Sequence, residues 1–217
     1  MIKSFIAAAA VVVTAALPLS AQAEGKPVGI TFSMSEATVM HNGKPVTIKR
    51  DQDNNATVID AFAKTSRPCP PFCIQPIVLA PGVETIGEAE MIDYLVKKSN
   101  GDDSILVIDS RTPNWVERGT IPGAKNIPWT LLNTAKGADP LSISEIMTEE
   151  FGAEEFDGLW KFGKAKTLVM FCNGMWCGQS PTNIKSLLDF GYPAHKIKWY
   201  RGGMQNWSNL GLTTVKP

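Results

Sequence analysis

Two cysteines stand close together in the stretch FCNGMWCGQS at positions 171–180, in a chain that has four cysteines altogether. A cysteine thiolate is a nucleophile, and two neighbouring thiols can also exchange through a disulfide. Four residues separate Cys172 from Cys177, which is more than the two of a thioredoxin-type motif. The only two histidines, His41 and His195, are not spaced as zinc partners for this pair. The stretch therefore predicts thiol chemistry or a disulfide that fixes a loop, and it predicts no metal site.

Cys172 has the position that favours a reactive thiolate. It follows the apolar run TLVMF at 167–171, which predicts a buried strand, and it precedes a helix predicted to begin near Pro181. A loop between a strand end and a helix start turns several backbone N–H groups inward, and these groups and the helix dipole lower the pKa of a thiol. Cys172 is thus the predicted nucleophile. The loop residues predicted to contact substrate are Asn173, Gly174, Met175, Trp176, Gly178, Gln179 and Ser180.

The elements around this loop predict an α/β fold. From Val83 onward, short apolar runs alternate with helical periodicity: SILVIDS and TLVMF predict strands, and TIGEAEMIDYLVKKSN, with Thr85 as its cap, and PTNIKSLLDFGY predict helices. Strands that alternate with such helices build a central parallel sheet flanked by helices. Functional residues of these sheets lie beyond the carboxyl ends of the strands, as Cys172 does. The insertion at 131–165 predicts one or two helices, and the sequence gives it no function.

The first third of the chain has a different pattern. Residues 37–51 alternate apolar and polar side chains around Asn42-Gly43, which predicts a β-hairpin with a type I′ turn. A proline-rich connector follows, so we predict a β-rich extension and connector at 24–82 and an α/β domain at 83–217. Cys69 and Cys73 are disulfide candidates that would tighten the connector; alternatively, they relay electrons to the loop if the connector folds over it.

The amino terminus predicts export. Lys3 precedes a short apolar run that ends in Ala21-Gln22-Ala23, the layout of a secretory signal over residues 1–23 with cleavage near Ala23. A retained membrane anchor is the alternative, but the run is too short to span a bilayer comfortably. We expect a periplasmic or secreted protein without stable membrane insertion, and an oxidising compartment would let its disulfides persist. Positive and negative side chains balance, so the charge indicates no nucleic-acid partner.

The segment ILVIDSRTPNWVERGTIPGAKNIPW at 105–129 resembles the first signature of the rhodanese-like sulfurtransferase family. In that family a strand ends in Asp-x-Arg, a Glu follows, and then Gly-His-Ile-Pro-Gly-Ala-x-Asn-Ile-Pro, with Thr120 replacing the usual histidine here. The matching residues are Asp109, Arg111, Glu117, Gly119, Ile121, Pro122, Gly123, Ala124, Asn126, Ile127 and Pro128. LVMFC, LLDFGY and WYRGGMQNW are similar to the family's active-site strand, its following helix end and its closing segment.

The resemblance implies that Cys172 is the catalytic cysteine, which accepts a sulfane sulfur as a persulfide and passes it to a nucleophile. It implies that Asp109 and Arg111 hold the loops and that the substrate is a small sulfur-containing anion or a thiol. We expect no cofactor. The loop departs from the family pattern because it is longer and has no Arg or Lys, so thiosulfate is not the expected donor. Phosphatase relatives need an arginine six positions after the cysteine, where this chain has Gly178.

Three roles remain open for Cys177. As a resolving thiol it would attack a persulfide on Cys172 and close a disulfide, which would link the protein to a partner redox protein. Alternatively, Cys172 works alone as a plain sulfurtransferase, or a permanent Cys172–Cys177 disulfide leaves a non-catalytic interaction module. Arg201 ends a strand near the site and faces either substrate or solvent. Trp176 is a candidate lid or docking aromatic, and Arg67 is a candidate for the positive charge that the loop lacks.

Overall fold

The computed structural model describes residues 25–217, so the predicted signal at 1–23 lies outside the described residues. The strands are β1 (Glu36–His41), β2 (Lys44–Lys49), β3 (Glu84–Ile86), β4 (Ile105–Asp109), β5 (Lys125–Asn126), β6 (Glu154–Phe156), β7 (Leu159–Lys161), β8 (Thr167–Phe171) and β9 (Ile197–Tyr200). The helices are α1 (Asp60–Ala63), α2 (Glu88–Ser99), α3 (Pro113–Val116), α4 (Pro140–Glu145), α5 (Gln179–Asp189) and α6 (Gly203–Asn209). Within residues 25–217, none of these helices has the length and apolarity needed to cross a membrane.

A five-stranded parallel sheet forms the centre of the molecule, in the order β3-β9-β8-β4-β5. This confirms the predicted α/β fold. The residues of β4 and most of β8 are buried, because helices cover both faces of the sheet. Helices α2 and α6 pack on one face, and α4 and α5 pack on the other. The carboxyl ends of β4, β8 and β9 therefore meet at one edge, and Cys172 lies there.

The predicted hairpin is confirmed as β1 and β2, paired antiparallel across Asn42 and Gly43. Both turn residues have positive φ, 49° and 75°, as a type I′ turn requires. Val39 and Ile48 of the hairpin are fully buried in the same apolar cluster as Met91 of α2. The hairpin thus shares the hydrophobic core of the α/β domain rather than forming a core of its own.

One detail of the predicted elements was wrong. The cap of α2 is Gly87, whose N–H donates to Glu90 at 3.0 Å, because Thr85 belongs to β3 and pairs with β9. The prediction of one or two helices in the insertion at 131–165 is confirmed by one short α-helix, α4, which continues as a π-helical turn at Ile146–Glu150. It also contains the unpredicted antiparallel hairpin of β6 and β7. Short strands of three residues carry too little alternation to be recognised in a sequence.

The connector, residues 64–82, has no helix or strand and crosses the carboxyl edge of the sheet. The backbone N–H of Gln75 donates to the carbonyl oxygen of Met175 at 2.8 Å. The Arg201 guanidinium donates to the carbonyl oxygens of Gln75 at 2.8 Å and Pro76 at 3.2 Å. Cys69 and Cys73 form a disulfide within this segment. The connector therefore folds over the loop that carries Cys172.

Candidate active site

Cys172 begins the loop between β8 and α5, and the start of α6 packs against that loop. The backbone N–H groups of Met204 and Gln205 donate to the carbonyl oxygens of Cys172 and Asn173 at 3.0 and 2.9 Å. Gly203 makes this approach possible: its φ is +56°, and a Cβ there would lie 2.3 Å from the Cys172 carbonyl oxygen. Only glycine fits such a position without strain. The Gly-Gly-Met segment of the sequence thus fixes the active loop.

The thiols of Cys172 and Cys177 are both free and both buried, with 2% and 3% of each residue exposed. Burial raises the pKa of the Cys172 thiol, because it penalises the charged form. Hydrogen bonds from the Cys177 thiol, from the Ser180 hydroxyl and from the backbone N–H groups of Ser180 and Gly174 outweigh that effect and lower the pKa to about 7. The carbonyl oxygen of Cys177 lies 3.3 Å from the Cys172 sulfur and opposes this by accepting from the thiol form. These donors therefore favour the thiolate of Cys172 over that of an ordinary cysteine.

Cys177 has the opposite environment. Burial raises the pKa of its thiol, and so do the hydrogen bond to the Cys172 sulfur and the negative charge there. The side-chain amide of Asn173 donates weakly to the Cys177 sulfur at 3.8 Å. The two thiols consequently take different states: Cys172 carries the charge, and Cys177 keeps its proton and donates it to Cys172.

Ser180 and Trp199 form a short relay beneath Cys172. The Ser180 hydroxyl oxygen lies 3.1 Å from the Cys172 sulfur and accepts a hydrogen bond from the indole Nε1–H of Trp199, also at 3.1 Å. Because an indole N–H can only donate, the Trp199 N–H uses a lone pair of the Ser180 hydroxyl oxygen. The hydroxyl proton is then directed at the sulfur, where it stabilises a thiolate. Trp199 is 1% exposed, so its packing fixes the relay.

Asp109 and Arg111 form a buried ion pair beside the loop. The Arg111 guanidinium donates to both carboxylate oxygens of Asp109, at 2.9 and 2.6 Å, and to the carbonyl oxygens of Trp115 and Gly119. The hydroxyl of Thr120 donates to the Asp109 carboxylate at 2.7 Å, at the position where the family has histidine. A fully satisfied bidentate pair is rigid, and here it joins the ends of two loops. It does not contact either thiol sulfur.

A cleft of about 430 Å³ opens above the thiols. Four of its ten lining residues are aromatic, and the lining comes from the connector, from the segments after β4 and β5, from the active loop and from α5. The lining residues are Pro71, Phe72, Trp115, Trp129, Asn173, Trp176, Cys177, Gly178, Gln179 and Thr182. Cys177 lines the cleft and Cys172 lies behind it. A molecule in the cleft therefore meets Cys177 on the way to the thiolate.

The scan against protein-family models matches residues 92–210 to the rhodanese-like domain. The match covers more than half of the 217 residues. The chain belongs to the rhodanese-like domain family. The predicted resemblance is thereby confirmed, and the matched range contains the active loop and both buried charges. The connector lies before the matched range, so the outer wall of this rhodanese-like site comes from a segment outside it.

Similar solved structures include the human single-domain sulfurtransferase TSTD1, at 23% identity and a TM-score of 0.38, with 58% of this chain and 95% of that chain covered. A possible tyrosine phosphatase of Rhodopseudomonas palustris has 20% identity and a TM-score of 0.38, with 61% and 85% covered. A thiosulfate sulfurtransferase of Pseudomonas aeruginosa has 18% identity and a TM-score of 0.40, with 62% and 20% covered. No curated protein matches the chain.

The predicted site residues of the rhodanese-like domain fall into three groups. Asn173, Trp176, Gly178 and Gln179 line the cleft, and Met175 lines a neighbouring cavity. Gly174 and Ser180 contact the Cys172 sulfur from beneath and line neither space. Arg201 lines neither space, and its guanidinium donates to the connector carbonyl oxygens of Gln75 and Pro76.

Sequence reasoning missed three aromatic residues of the cleft, namely Phe72, Trp115 and Trp129. Phe72 packs edge-on against Trp176 with ring centroids 5.6 Å apart, and Trp115 lies 6.4 Å from Trp176. The Nε1–H of Trp129 is buried and has no hydrogen-bond partner within residues 25–217. Both Trp115 and Trp129 stand within the first rhodanese-like signature, soon after strands that end at this edge. That position was the available signal for a role at the site.

Proposed function

We propose that the protein is a thiol-dependent sulfurtransferase in which Cys172 accepts sulfane sulfur and Cys177 resolves the product. The observation that carries the proposal is the unequal pair of free thiols, with a Cys172 thiolate stabilised by four hydrogen-bond donors and a protonated Cys177 beside it. A nucleophile with a pKa near the ambient pH combines a large thiolate fraction with high reactivity.

In the first step the Cys172 thiolate attacks the outer sulfur of a donor such as an organic persulfide. The sulfur–sulfur bond of the donor breaks, the donor leaves as a thiol that takes the proton of its persulfide group, and Cys172 now carries an anionic persulfide. The N–H groups of Gly174 and Ser180 that stabilise the Cys172 thiolate lie beside the new group. Fixed donors of this kind stabilise the anionic sulfur without reorganising.

In the second step Cys177 attacks the inner sulfur of that persulfide. Its proton passes to the departing sulfur, the persulfide bond breaks, and hydrosulfide leaves with the bonding electron pair. The transferred sulfur is reduced, and the two cysteines are oxidised to a Cys172–Cys177 disulfide. A dithiol of a partner redox protein then reduces that disulfide. In the first step the negative charge moves from the Cys172 sulfur to the outer sulfur. One cause of the raised pKa of the Cys177 thiol is thereby removed.

We also propose that the chain is exported and acts in an oxidising compartment. Two features support this: the signal-type pattern of residues 1–23 and the disulfide between Cys69 and Cys73. A fusion of residues 1–30 to a reporter that is active only after export tests the proposal. Reporter activity that is unchanged when Lys3 and the apolar run are deleted would contradict it.

The mechanism is tested by a single turnover with glutathione persulfide and no added reductant. We expect the wild-type protein to release about one hydrosulfide per chain and to lose both free thiols. Cys177→Ser should release almost none, because the remaining cysteines, Cys69 and Cys73, are joined in a disulfide and do not supply a resolving thiol. Hydrosulfide release by Cys177→Ser at the wild-type level would show that Cys177 is not the resolving thiol.

A non-catalytic interaction module is the second candidate, and the burial of both thiols favours it. In that case a Cys172–Cys177 disulfide would fix the loop, and no donor would react. The two candidates differ in the state of the isolated protein. If mild reduction yields two titratable thiols that reoxidise only when a sulfur donor is added, the result supports the enzyme. If a Cys172–Cys177 disulfide resists mild reductant, the result supports the interaction module.

A further inference from the structure

An arginine that has no ion pair or hydrogen bond from its side chain within residues 25–217 lies against the outer face of the active loop. The guanidinium carbon of Arg67 is 4.0 Å from the ring centroid of Trp176 and 5.7 Å from that of Phe72. None of the five ion pairs within residues 25–217 includes Arg67, and its buried Nε–H has no hydrogen-bond partner there. Stacking on an aromatic face leaves the donor edge of a guanidinium free. The side chain is thus oriented but unsatisfied, and an acceptor would complete it.

The space next to Arg67 has the chemistry of an anion site. Arg67 lines a cavity of about 810 Å³ together with Lys64, Met175, Trp176 and Gln205. The lining includes two basic side chains and no Asp or Glu. Carboxylates and oxoanions are the ligands that a free guanidinium edge binds best, because two parallel N–H groups fit two oxygens.

This cavity and the thiol cleft share two walls, Phe72 and Trp176. Arg67 lines the cavity and Cys177 lines the cleft. The Phe72 and Trp176 side chains therefore lie between a basic space and a space that contains a thiol. A molecule that is elongated and carries an anionic group can occupy both spaces.

We propose that Arg67 binds the carboxylate of an organic sulfur compound whose sulfur end enters the thiol cleft. The substrate class is then a carboxylate-bearing organic persulfide or thiol. The sulfur end of this inference rests on the proposed function, whereas the anion site rests on Arg67 and its cavity. The connector thereby supplies the positive charge that the active loop lacks.

The test measures binding of S-methylglutathione to the full chain by titration calorimetry and tryptophan fluorescence. This probe has two carboxylates and a blocked sulfur, so it binds without transferring sulfur. We expect saturable binding to the wild-type protein and at least about tenfold weaker binding to Arg67→Gln, since a bidentate charged contact is lost. Arg118→Gln is the matched control: Arg118 also stacks on a tryptophan, 4.6 Å from Trp115, but lies outside the cavity. It should bind as wild type does.

Equal affinity of wild type and Arg67→Gln, or no binding by wild type, would overturn the anion site. Equal Arg67-dependent affinity for thiosulfate would overturn the preference for an organic compound. Arg67-dependent binding in a protein that transfers no sulfur from glutathione persulfide would instead contradict the proposed function and leave the anion site standing. Sulfur transfer at the same rate in Arg67→Gln as in wild type would contradict the anion site and leave the proposed function standing.

Discussion

The site has two parts that differ in how they are held. We call Cys172, Cys177, Ser180 and Trp199 the thiol floor; all four residues are buried, and each contacts another through a hydrogen bond. The connector is mostly exposed and is held by a few hydrogen bonds and by the Phe72–Trp176 contact. The difference indicates that the sheet and its helices set the reactivity of the thiols, while the connector sets access to them.

The largest effect should come from the buried pair that supports the floor. Arg111→Met leaves the Asp109 carboxylate buried without its cation, which costs about 3–5 kcal/mol of the free energy of unfolding. Denaturant unfolding followed by fluorescence measures this. Lys97→Met is the control, because it breaks an exposed pair with Asp93 and should cost less than about 0.5 kcal/mol. Equal costs for the two variants would mean that the buried pair does not hold the floor.

The next effect concerns the reactivity of the floor itself. The rate of Cys172 alkylation by iodoacetamide should reach half its maximum near pH 7, where the Cys172 pKa lies. Ser180→Ala removes the hydroxyl donor to the thiolate and should raise that midpoint by about one pH unit, equivalent to about 1.4 kcal/mol. Ser186→Ala on the same helix has no such contact and is the control.

The direction of the pH dependence of Cys172 alkylation follows from the negative charge on the reactive thiolate. Because the thiolate is the nucleophile, the wild-type rate should fall about tenfold for each pH unit well below 7 and level off above about pH 8. A raised pKa moves this whole curve to higher pH. Trp199→Phe should shift it in the same direction as Ser180→Ala, since the hydroxyl proton is no longer directed at the sulfur. A shift in neither variant would exclude the relay.

The smallest effect should come from the connector. Phe72→Ala opens the cleft wall and should raise the alkylation rate of Cys177 a few-fold at a given pH, without moving the Cys172 midpoint. Peptide mapping after partial alkylation distinguishes the two cysteines. Leu141→Ala, an exposed apolar change far from the cleft in the insertion, serves as the control. A moved midpoint in Phe72→Ala would show that the connector sets reactivity as well as access.

The same division explains what the sequence predicted. The strand before Cys172, the helix after it and the Asn42-Gly43 hairpin each have a local pattern of apolar spacing or turn chemistry, and each is present. The connector has no such periodic sequence pattern. Its position depends instead on single contacts, such as the hydrogen bond from Arg201 to the Gln75 carbonyl oxygen. Sequence patterns do not encode contacts of this kind.

The thiol floor was predicted in part. The position of Cys172 beyond a strand end was predicted from the sequence. The relay from Trp199 through Ser180 was not, because it joins a strand residue and a helix residue that are 19 positions apart. Trp199 is buried, and its hydrogen bond to Ser180 depends on the register between β8 and β9. Register of a parallel sheet is set by packing on both faces, so a single sequence does not give it.

The measurement that tests the central claim most directly is the intact mass of the protein after brief exposure to glutathione persulfide. The account predicts that Cys177→Ser accumulates one added sulfur, that Cys172→Ser accumulates none, and that the wild-type chain ends as a Cys172–Cys177 disulfide. A sulfur adduct on Cys172→Ser equal to that on Cys177→Ser would contradict the assignment of Cys172 as the nucleophile.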